Sequence, residues 1–271
     1  MLTEAMILDL YRKCATVIPE DIESALKVAK QKESDKNAAS ILDTILDNIK
    51  IAKSESRPIC QDTGTPFFYI SHPKDQSEKD MIKIIGQATK EATEKIPLRP
   101  NAVDPITGIN IGNKPVIHFE ESAILKINLL MKGGGSENIS SIYSLPDTRI
   151  IADRDISGIK RCVMDAVFRA QGKGCPPYII GVAAGGSIEE VASLSKRQLL
   201  TPLDDTNPDE TLDRIEKELK DDINRLGIGP MGLGGKTTAL GVKMTKCYRN
   251  PPSFFVGISF GCWATRRASY D

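Results

Sequence analysis

The spacing of apolar residues predicts that the chain begins with a helical region over about residues 1–55. Apolar positions within residues 3–53 recur at helical intervals in three pieces, which are separated at Pro19 and at a polar cluster around Asp35. The third piece has the broadest apolar stripe and leads to the first predicted strand. We therefore expect three consecutive helices before any sheet begins.

The rest of the chain alternates between apolar runs typical of strands and amphipathic stretches typical of helices. The predicted strands are 67–70, 115–119, 123–131, 178–182, 240–245 and 254–260. The predicted helices are 76–95, 155–171, 188–199 and 209–226. We expect the second and third strands to pair with each other. The predicted fold class is α+β, with one domain over residues 1–271 in which a helical N-terminal part precedes a mixed sheet with helices.

Composition argues against nucleic acid and membranes as partners. The 271 residues include 36 Lys and Arg and 36 Asp and Glu, so the formal net charge is zero and no basic surface is expected. No segment reaches the roughly 18 uninterrupted apolar residues of a membrane span. The first residues are interrupted by Glu4 and Asp9, unlike a signal peptide. We therefore expect a cytoplasmic protein whose partners are small molecules or other proteins, and whose six cysteines are reduced thiols or metal ligands.

The first candidate site residues are Cys60, Gln61 and Asp62, which follow Pro58 and precede a turn at Gly64. A residue before proline is pushed out of the helical region, so the chain approaches this turn in an extended form. A soft metal ligand, an amide and a carboxylate then lie together at the start of a strand. The alternative is that the thiol is a small buried hydrophobe and the carboxylate caps the turn.

Two further segments carry candidate ligands for an anion. A long irregular stretch after the fourth predicted helix contains Arg99 and Asn101, an arginine fork beside an amide. The run from Gly133 to Gly135 allows consecutive N–H groups to point into one concavity and hold a carboxylate or phosphate. A flexible hairpin loop is an equally good interpretation of these glycines.

The stretch that ends in Gly235, Lys236 and Thr237 resembles a phosphate-binding P-loop but fails two requirements. The motif needs a glycine where this chain has Pro230, and its loop must open into a helix. The residues that follow alternate as a strand does, so a nucleotide hydrolase is excluded.

Three cysteines, Cys60, Cys175 and Cys262, occupy Gly- and Pro-rich turns beside predicted strands, whereas the other three lie within or beside predicted elements. The chain has no C-x-x-C pair, so ordinary zinc-finger spacing is absent. It has only two histidines, which is too few for a histidine-rich metal site. Three thiolates suit a four-iron cluster that leaves one iron open as a Lewis acid.

Five segments resemble the class I iron-sulfur fumarase and L-tartrate dehydratase family. They are ICQDTGTP at 59–66, KGGGSEN at 132–138, GKGCPPYIIGVAAGGS at 172–187, GLGGKTTALGVK at 232–243 and GCWATRR at 261–267. The resemblance runs from about residue 5 to the end and matches the alpha subunit of the two-subunit form. It implies a hydro-lyase whose active site is completed by a beta subunit, with two copies of each chain.

The resemblance also implies roles for individual residues. Cys60, Cys175 and Cys262 match the ligands of a [4Fe-4S] cluster. Gln61 and Asp62 match residues that contact the substrate, with Asp62 implicated in proton transfer. Two further matches concern the substrate, Arg99 as a carboxylate ligand and Gly134 and Gly135 as a substrate-binding turn. One position departs from the pattern: twelve residues before the third cysteine, Asn250 stands where the family has histidine, and asparagine does not titrate near neutral pH.

The function implied is reversible hydration of fumarate, a dicarboxylate, to malate. Dehydration of L-tartrate is the close alternative, because its substrate differs by one hydroxyl that these motifs do not read. A non-catalytic iron-sulfur scaffold or sensor is the alternative from another class, and it would need neither Asp62 nor Arg99.

Overall fold

A computed structural model describes residues 2–270, which form eight α-helices and eight β-strands. The helices are α1 Glu4–Thr16, α2 Glu20–Lys32, α3 Lys36–Glu55, α4 Glu78–Lys95, α5 Gly134–Asn138, α6 Ile156–Ala170, α7 Ile188–Arg197 and α8 Glu210–Arg225. The strands are β1 Thr65–His72, β2 Val116–Glu121, β3 Lys126–Lys132, β4 Ser141–Ser144, β5 Tyr178–Gly185, β6 Ala239–Cys247, β7 Phe255–Gly261 and β8 Arg266–Tyr270. Each helix within residues 2–270 is too short or too polar to cross a membrane.

The predicted α+β class and the three N-terminal helices are confirmed. Three short elements, α5, β4 and β8, were not predicted. The predicted mixed sheet is present twice, because the strands within residues 2–270 form two separate four-stranded sheets, each with parallel and antiparallel pairs.

The chain divides into two compact units. The first contains the described residues up to Pro19, Asp47–Gly134 and the residues from Arg266 onward. The second contains Glu20–Leu46 and Gly135–Thr265. Each unit holds one of the two sheets.

The sheet of the first unit has the order β2-β1-β3-β8. The expected pairing of β2 with β3 is wrong, because β1 lies between them, parallel to β2 and antiparallel to β3. The apolar run of β1 explains this central place. Phe68 and Ile70 are almost fully buried, as is typical of a strand with neighbours on both sides.

Helices α1 and α4 cover one face of this sheet with their apolar stripes. Tyr11 of α1 meets Phe68 of β1 edge to face at 5.6 Å, a contact worth about 1 kcal/mol beyond burial. The Tyr11 hydroxyl also hydrogen-bonds with that of Thr89 in α4 at 2.7 Å. These contacts hold α1 against both β1 and α4.

The sheet of the second unit has the order β4-β7-β5-β6. All eight residues of β5 are buried, as expected of a strand with neighbours on both edges and helices packed on the sheet. Apolar residues of α6 and α8 share the core of this unit with the sheet, and α7 packs on β7 and β5. The start of β5 and the end of β7 lie side by side, with Ile179 opposite Gly261.

The stretch that resembles a P-loop forms a short 3-10 turn at Pro230–Gly232 and then continues into β6. No helix opens at Lys236, and β6 confirms the strand predicted over 240–245. The backbone therefore lacks the loop-to-helix transition that holds a nucleotide phosphate.

Candidate active site

Asp62 is the best-fixed candidate side chain in the first unit. Its Oδ2 accepts a hydrogen bond from the N–H of Gly134 at 2.7 Å, and its Oδ1 accepts one from the N–H of Gly64 at 3.1 Å. Asp62 is half-buried. Two backbone donors therefore hold the carboxylate in one orientation, as a group that moves a proton requires.

Glycines make this arrangement possible. Gly64 has φ +85°, and a Cβ built on it would lie 2.7 Å from the carbonyl carbon of Lys132. Any other residue there would be strained and would collide with the neighbouring strand. A Cβ on Gly133 would lie 3.1 Å from Asp62 Oδ2, which is tighter than an ordinary contact. Both glycines therefore let β3 end close against the Asp62 turn.

Thr63 ties Arg99 to this turn. The Thr63 hydroxyl accepts a hydrogen bond from the backbone N–H of Arg99 at 3.1 Å. The side-chain amide of Asn101 donates to the Gly64 carbonyl at 3.3 Å. Arg99 itself is exposed, and its guanidinium forms no hydrogen bond or ion pair within the described residues 2–270. The structure thus places the arginine backbone beside Asp62 and leaves the side chain available to a ligand.

Cys60 and Gln61 directly precede Asp62 in the same loop. Cys60 is half-buried and Gln61 is exposed. The residue before them is fixed on two sides, since the Ile59 N–H donates to the Ala15 carbonyl and the Ile59 carbonyl accepts from Asn48 Nδ2, each at 3.0 Å. A thiol, an amide and a carboxylate are therefore presented on an anchored loop.

The glycine run is neither the flexible hairpin nor the open concavity considered from sequence. Gly134 is the first residue of α5, and its N–H is already engaged by Asp62. Gly135 belongs to the second unit, where it lines a cavity of about 430 Å³ together with Lys173. Substrate binding by these two glycines stays a prediction.

The second unit brings Cys175 and Cys262 to neighbouring strand ends. The N–H of Trp263 donates to the Cys175 carbonyl at 3.1 Å. Both cysteines are half-buried. Buried Tyr178 lies near both, and burial raises the pKa of its hydroxyl to about 12, with the two thiols adding to this effect. Two of the three predicted ligands therefore share one place in the fold.

The local backbone at these two cysteines is unusual. Cys175 has φ +57°, a left-handed conformation that non-glycine residues adopt only where the surroundings enforce it. The Cys262 carbonyl accepts from both the N–H and the hydroxyl of Thr265, at 3.0 and 2.7 Å, which closes a tight turn. Strained and tightly tied backbone of this kind is characteristic of functional sites.

The remaining cysteines have a different chemistry. Cys14 and Cys162 are fully buried, and burial raises the pKa of each thiol to about 12. Burial also raises the pKa of the Cys247 thiol, whose Sγ donates to the Ala184 carbonyl at 3.7 Å. A metal ligand must be a thiolate, so these three are poor ligands. Asn250 lies in an exposed turn, and its carbonyl accepts from the N–H of Ser253 at 3.0 Å.

Sequence reasoning missed Arg266 as a neighbour of Asp62. This arginine belongs to the GCWATRR segment, and its side chain is only 2% exposed. A Cβ on Gly133 would lie 3.6 Å from Arg266 Nη2, close to where it meets Asp62 Oδ2. The two arginines of this segment were the available signal, because Arg266 and Asp62 lie far apart in the chain.

Within residues 2–270, no three His, Cys, Asp or Glu side chains are already grouped as a metal site. Cys60 belongs to the first unit, and Cys175 and Cys262 belong to the second. What the structure supplies is a fixed carboxylate with an adjacent thiol in one unit and a pair of neighbouring cysteines in the other.

The family model described as "Fumarate hydratase (Fumerase)" matches residues 4–271. The chain therefore belongs to the fumarate hydratase family.

Three relatives show how similar the chain is to individual members. It is 42% identical to a Geobacillus stearothermophilus protein provisionally named class I fumarate hydratase, over 95% of this chain and 52% of that protein. It is 38% identical to a Methanocaldococcus jannaschii protein provisionally named L(+)-tartrate dehydratase subunit alpha, over 97% of this chain and 95% of the relative. It is 31% identical to the L(+)-tartrate dehydratase subunit alpha of Escherichia coli K12, over 94% and 86% respectively. The chain thus spans about half the length of the Geobacillus relative and most of the other two.

Proposed function

We propose that this chain is the alpha subunit of a class I iron-sulfur fumarate hydratase, which reversibly adds water to fumarate to give malate. The observation that carries the proposal is the Asp62 carboxylate, held by the N–H groups of Gly64 and Gly134 and preceded by Cys60. Support also comes from membership of the family and from 42% identity to a relative that bears this name.

Cys60, Cys175 and Cys262 would hold the [4Fe-4S] cluster. Their donor chemistry fits, because all three are half-buried cysteines in anchored turns, and none of the six cysteines, all within residues 2–270, is in a disulfide. The other thiols are disfavoured as ligands because burial raises their pKa. When bound, such a cluster supplies an iron without a fourth thiolate, a Lewis acid that eases loss of the substrate hydroxyl.

The proton that this reaction transfers is bonded to a carbon of the substrate. In the dehydration direction, a base must take the proton from the carbon next to one carboxylate while the hydroxyl leaves from the adjacent carbon. We assign that base to a carboxylate oxygen of Asp62, since its two backbone bonds fix its direction and leave lone pairs for the proton. Gln61 would orient the substrate with its exposed amide, and Gly134 and Gly135 would form the turn that binds the substrate.

Arg99 would bind one substrate carboxylate through its guanidinium fork. Arg99→Lys is expected to raise KM about tenfold, because lysine keeps the charge and loses the bidentate geometry. The melting temperature should stay unchanged, since the guanidinium forms no bond within residues 2–270. Steady-state kinetics and thermal melts check both values, and an unchanged KM would remove Arg99 from the binding site.

A partner chain would complete the site. A dicarboxylate in a water-excluded pocket needs more donors than Arg99, Gln61 and one glycine turn provide. Two relatives are named as alpha subunits, and the Geobacillus relative is about twice as long as the matched region. We propose a beta subunit that corresponds to the remainder of that longer relative, in an assembly with two copies of each chain.

Dehydration of L-tartrate is the second candidate function, favoured by the names of two relatives that align over most of their length. The test is anaerobic assembly of the chain with its genomic partner, followed by specificity constants for malate and L-tartrate. We expect malate to be preferred and the chain alone to be inactive. A preference for L-tartrate would replace the substrate, full activity of the chain alone would exclude the partner, and cluster binding without turnover of either would indicate a scaffold or sensor.

A further inference from the structure

Arg266 is a buried cation that forms no ion pair within the described residues. Its side chain is 2% exposed, and neither Nε nor Nη1 has a hydrogen-bond partner within residues 2–270. No carboxylate among the described residues forms an ion pair with it. Burying a charge in this way is costly, so a protein keeps it where another group supplies the missing charge.

Asp62 is a carboxylate that borders the same glycine as Arg266, but it forms no ion pair with the arginine. Arg266 begins β8 and lies opposite Met131 of β3, on the apolar face that α1 covers. Cys14 of α1 lies within electrostatic reach of Arg266, but burial raises the pKa of this thiol to about 12, so it is neutral near pH 7. The Cys14 thiol therefore supplies no counter-charge to the guanidinium.

The position of Arg266 indicates where the counter-charge arrives. A Cβ on Gly133 would lie 3.6 Å from Arg266 Nη2 and 3.1 Å from Asp62 Oδ2, so both groups border the same glycine. Gly133 is only half-buried, and Gly134 beside it is exposed. Arg266 therefore lies beside the glycine turn that holds Asp62, the proposed base.

We propose that Arg266 binds a carboxylate of the dicarboxylate substrate, as a second arginine beside Arg99. This inference rests on the proposed function. A substrate with two carboxylates needs a cationic or N–H partner at each end, and Arg99 supplies one. Arg266 supplies the other from within the first unit, with its unpartnered donors already desolvated. The energy that the buried charge costs the empty protein is recovered when the anion binds.

The test compares Arg266→Met and Arg266→Lys with Arg267→Lys in the enzyme assembled with its partner. Arg267 is the next residue on β8 and lies opposite Leu130. Its side chain points to the opposite face of the sheet from that of Arg266, so it is a matched control. We expect Arg266→Met to raise KM about 10²-fold or more with kcat less affected, because it removes one member of a desolvated charge pair. Arg266→Lys should recover part of the affinity, and Arg267→Lys should change KM by no more than about twofold.

Thermal melting separates this role from a structural one. Without substrate, Arg266→Met should melt no lower than the wild type, because methionine fills similar space and removes an uncompensated charge. Malate or L-tartrate should raise the melting temperature of the wild type and not that of Arg266→Met.

A lower melting temperature of Arg266→Met without ligand, or a ligand-induced rise in its melting temperature equal to that of the wild type, would overturn the proposal. Weaker association with the partner at unchanged KM would also overturn it, since the counter-charge would then belong to the partner. Lack of turnover by the wild-type complex would remove the proposed function alone, because the ligand shift still tests Arg266.

Discussion

Replacing Asp62 by asparagine is expected to lower turnover of the assembled enzyme by about 10²-fold or more while its iron content stays unchanged. Asparagine nearly preserves the shape of the side chain and cannot accept the proton. Its amide nitrogen would face one of the two N–H groups, of Gly64 or Gly134, that now donate to the carboxylate. One hydrogen bond is therefore lost, at a cost of about 1 kcal/mol in stability. The effect on rate is expected to exceed the effect on folding.

Asp104 offers a matched control for this substitution. Its Oδ1 accepts hydrogen bonds from the N–H groups of Ile106 and Thr107, at 2.9 and 2.7 Å, in an exposed loop of the same unit. Asp104→Asn should leave turnover within about twofold of the wild type. Turnover, iron content and thermal melts of both variants form the measurement. Near-normal turnover of Asp62→Asn would leave Asp62 as a turn residue.

Most helices and strands could be predicted because each buries one regular stripe of apolar residues. The three N-terminal helices are examples, whereas β5 was predicted from a continuous apolar run that is buried on both faces. The strand β8 could not be predicted, because its sequence RRASY has no apolar alternation and one of its two buried positions is filled by Arg266. The central place of β1 was also hidden, since strand order depends on contacts between distant segments and not on local pattern.

Only part of the candidate site could likewise be predicted from the sequence. The turn at Cys60–Asp62 could be identified because proline and glycine punctuate it locally. The bond from Gly134 to Asp62 joins residues 72 positions apart, so no local pattern could indicate it. The same separation explains why the glycine run was interpreted as a loop or a concavity. Its first N–H belongs to a short helix and is directed at the carboxylate.

Serine substitutions should separate the six cysteines into two groups of three. We expect Cys60→Ser, Cys175→Ser and Cys262→Ser each to lose iron and activity, because a serine hydroxyl does not replace a thiolate ligand. Cys14→Ser, Cys162→Ser and Cys247→Ser should retain iron, and they serve as matched controls for the loss of a thiol. Burial raises the pKa of all three control thiols, so none of them is poised to bind metal as a thiolate.

The central claim is that the three turn cysteines hold an iron cluster on which hydration depends. Iron per chain, measured in the anaerobically purified wild type and the six serine variants alongside fumarate hydration by each assembled enzyme, tests it most directly. The prediction is that iron and activity are lost together in the variants of Cys60, Cys175 and Cys262 and kept together in the other three. Equal behaviour of all six variants, or stoichiometric zinc in place of iron, would contradict the claim.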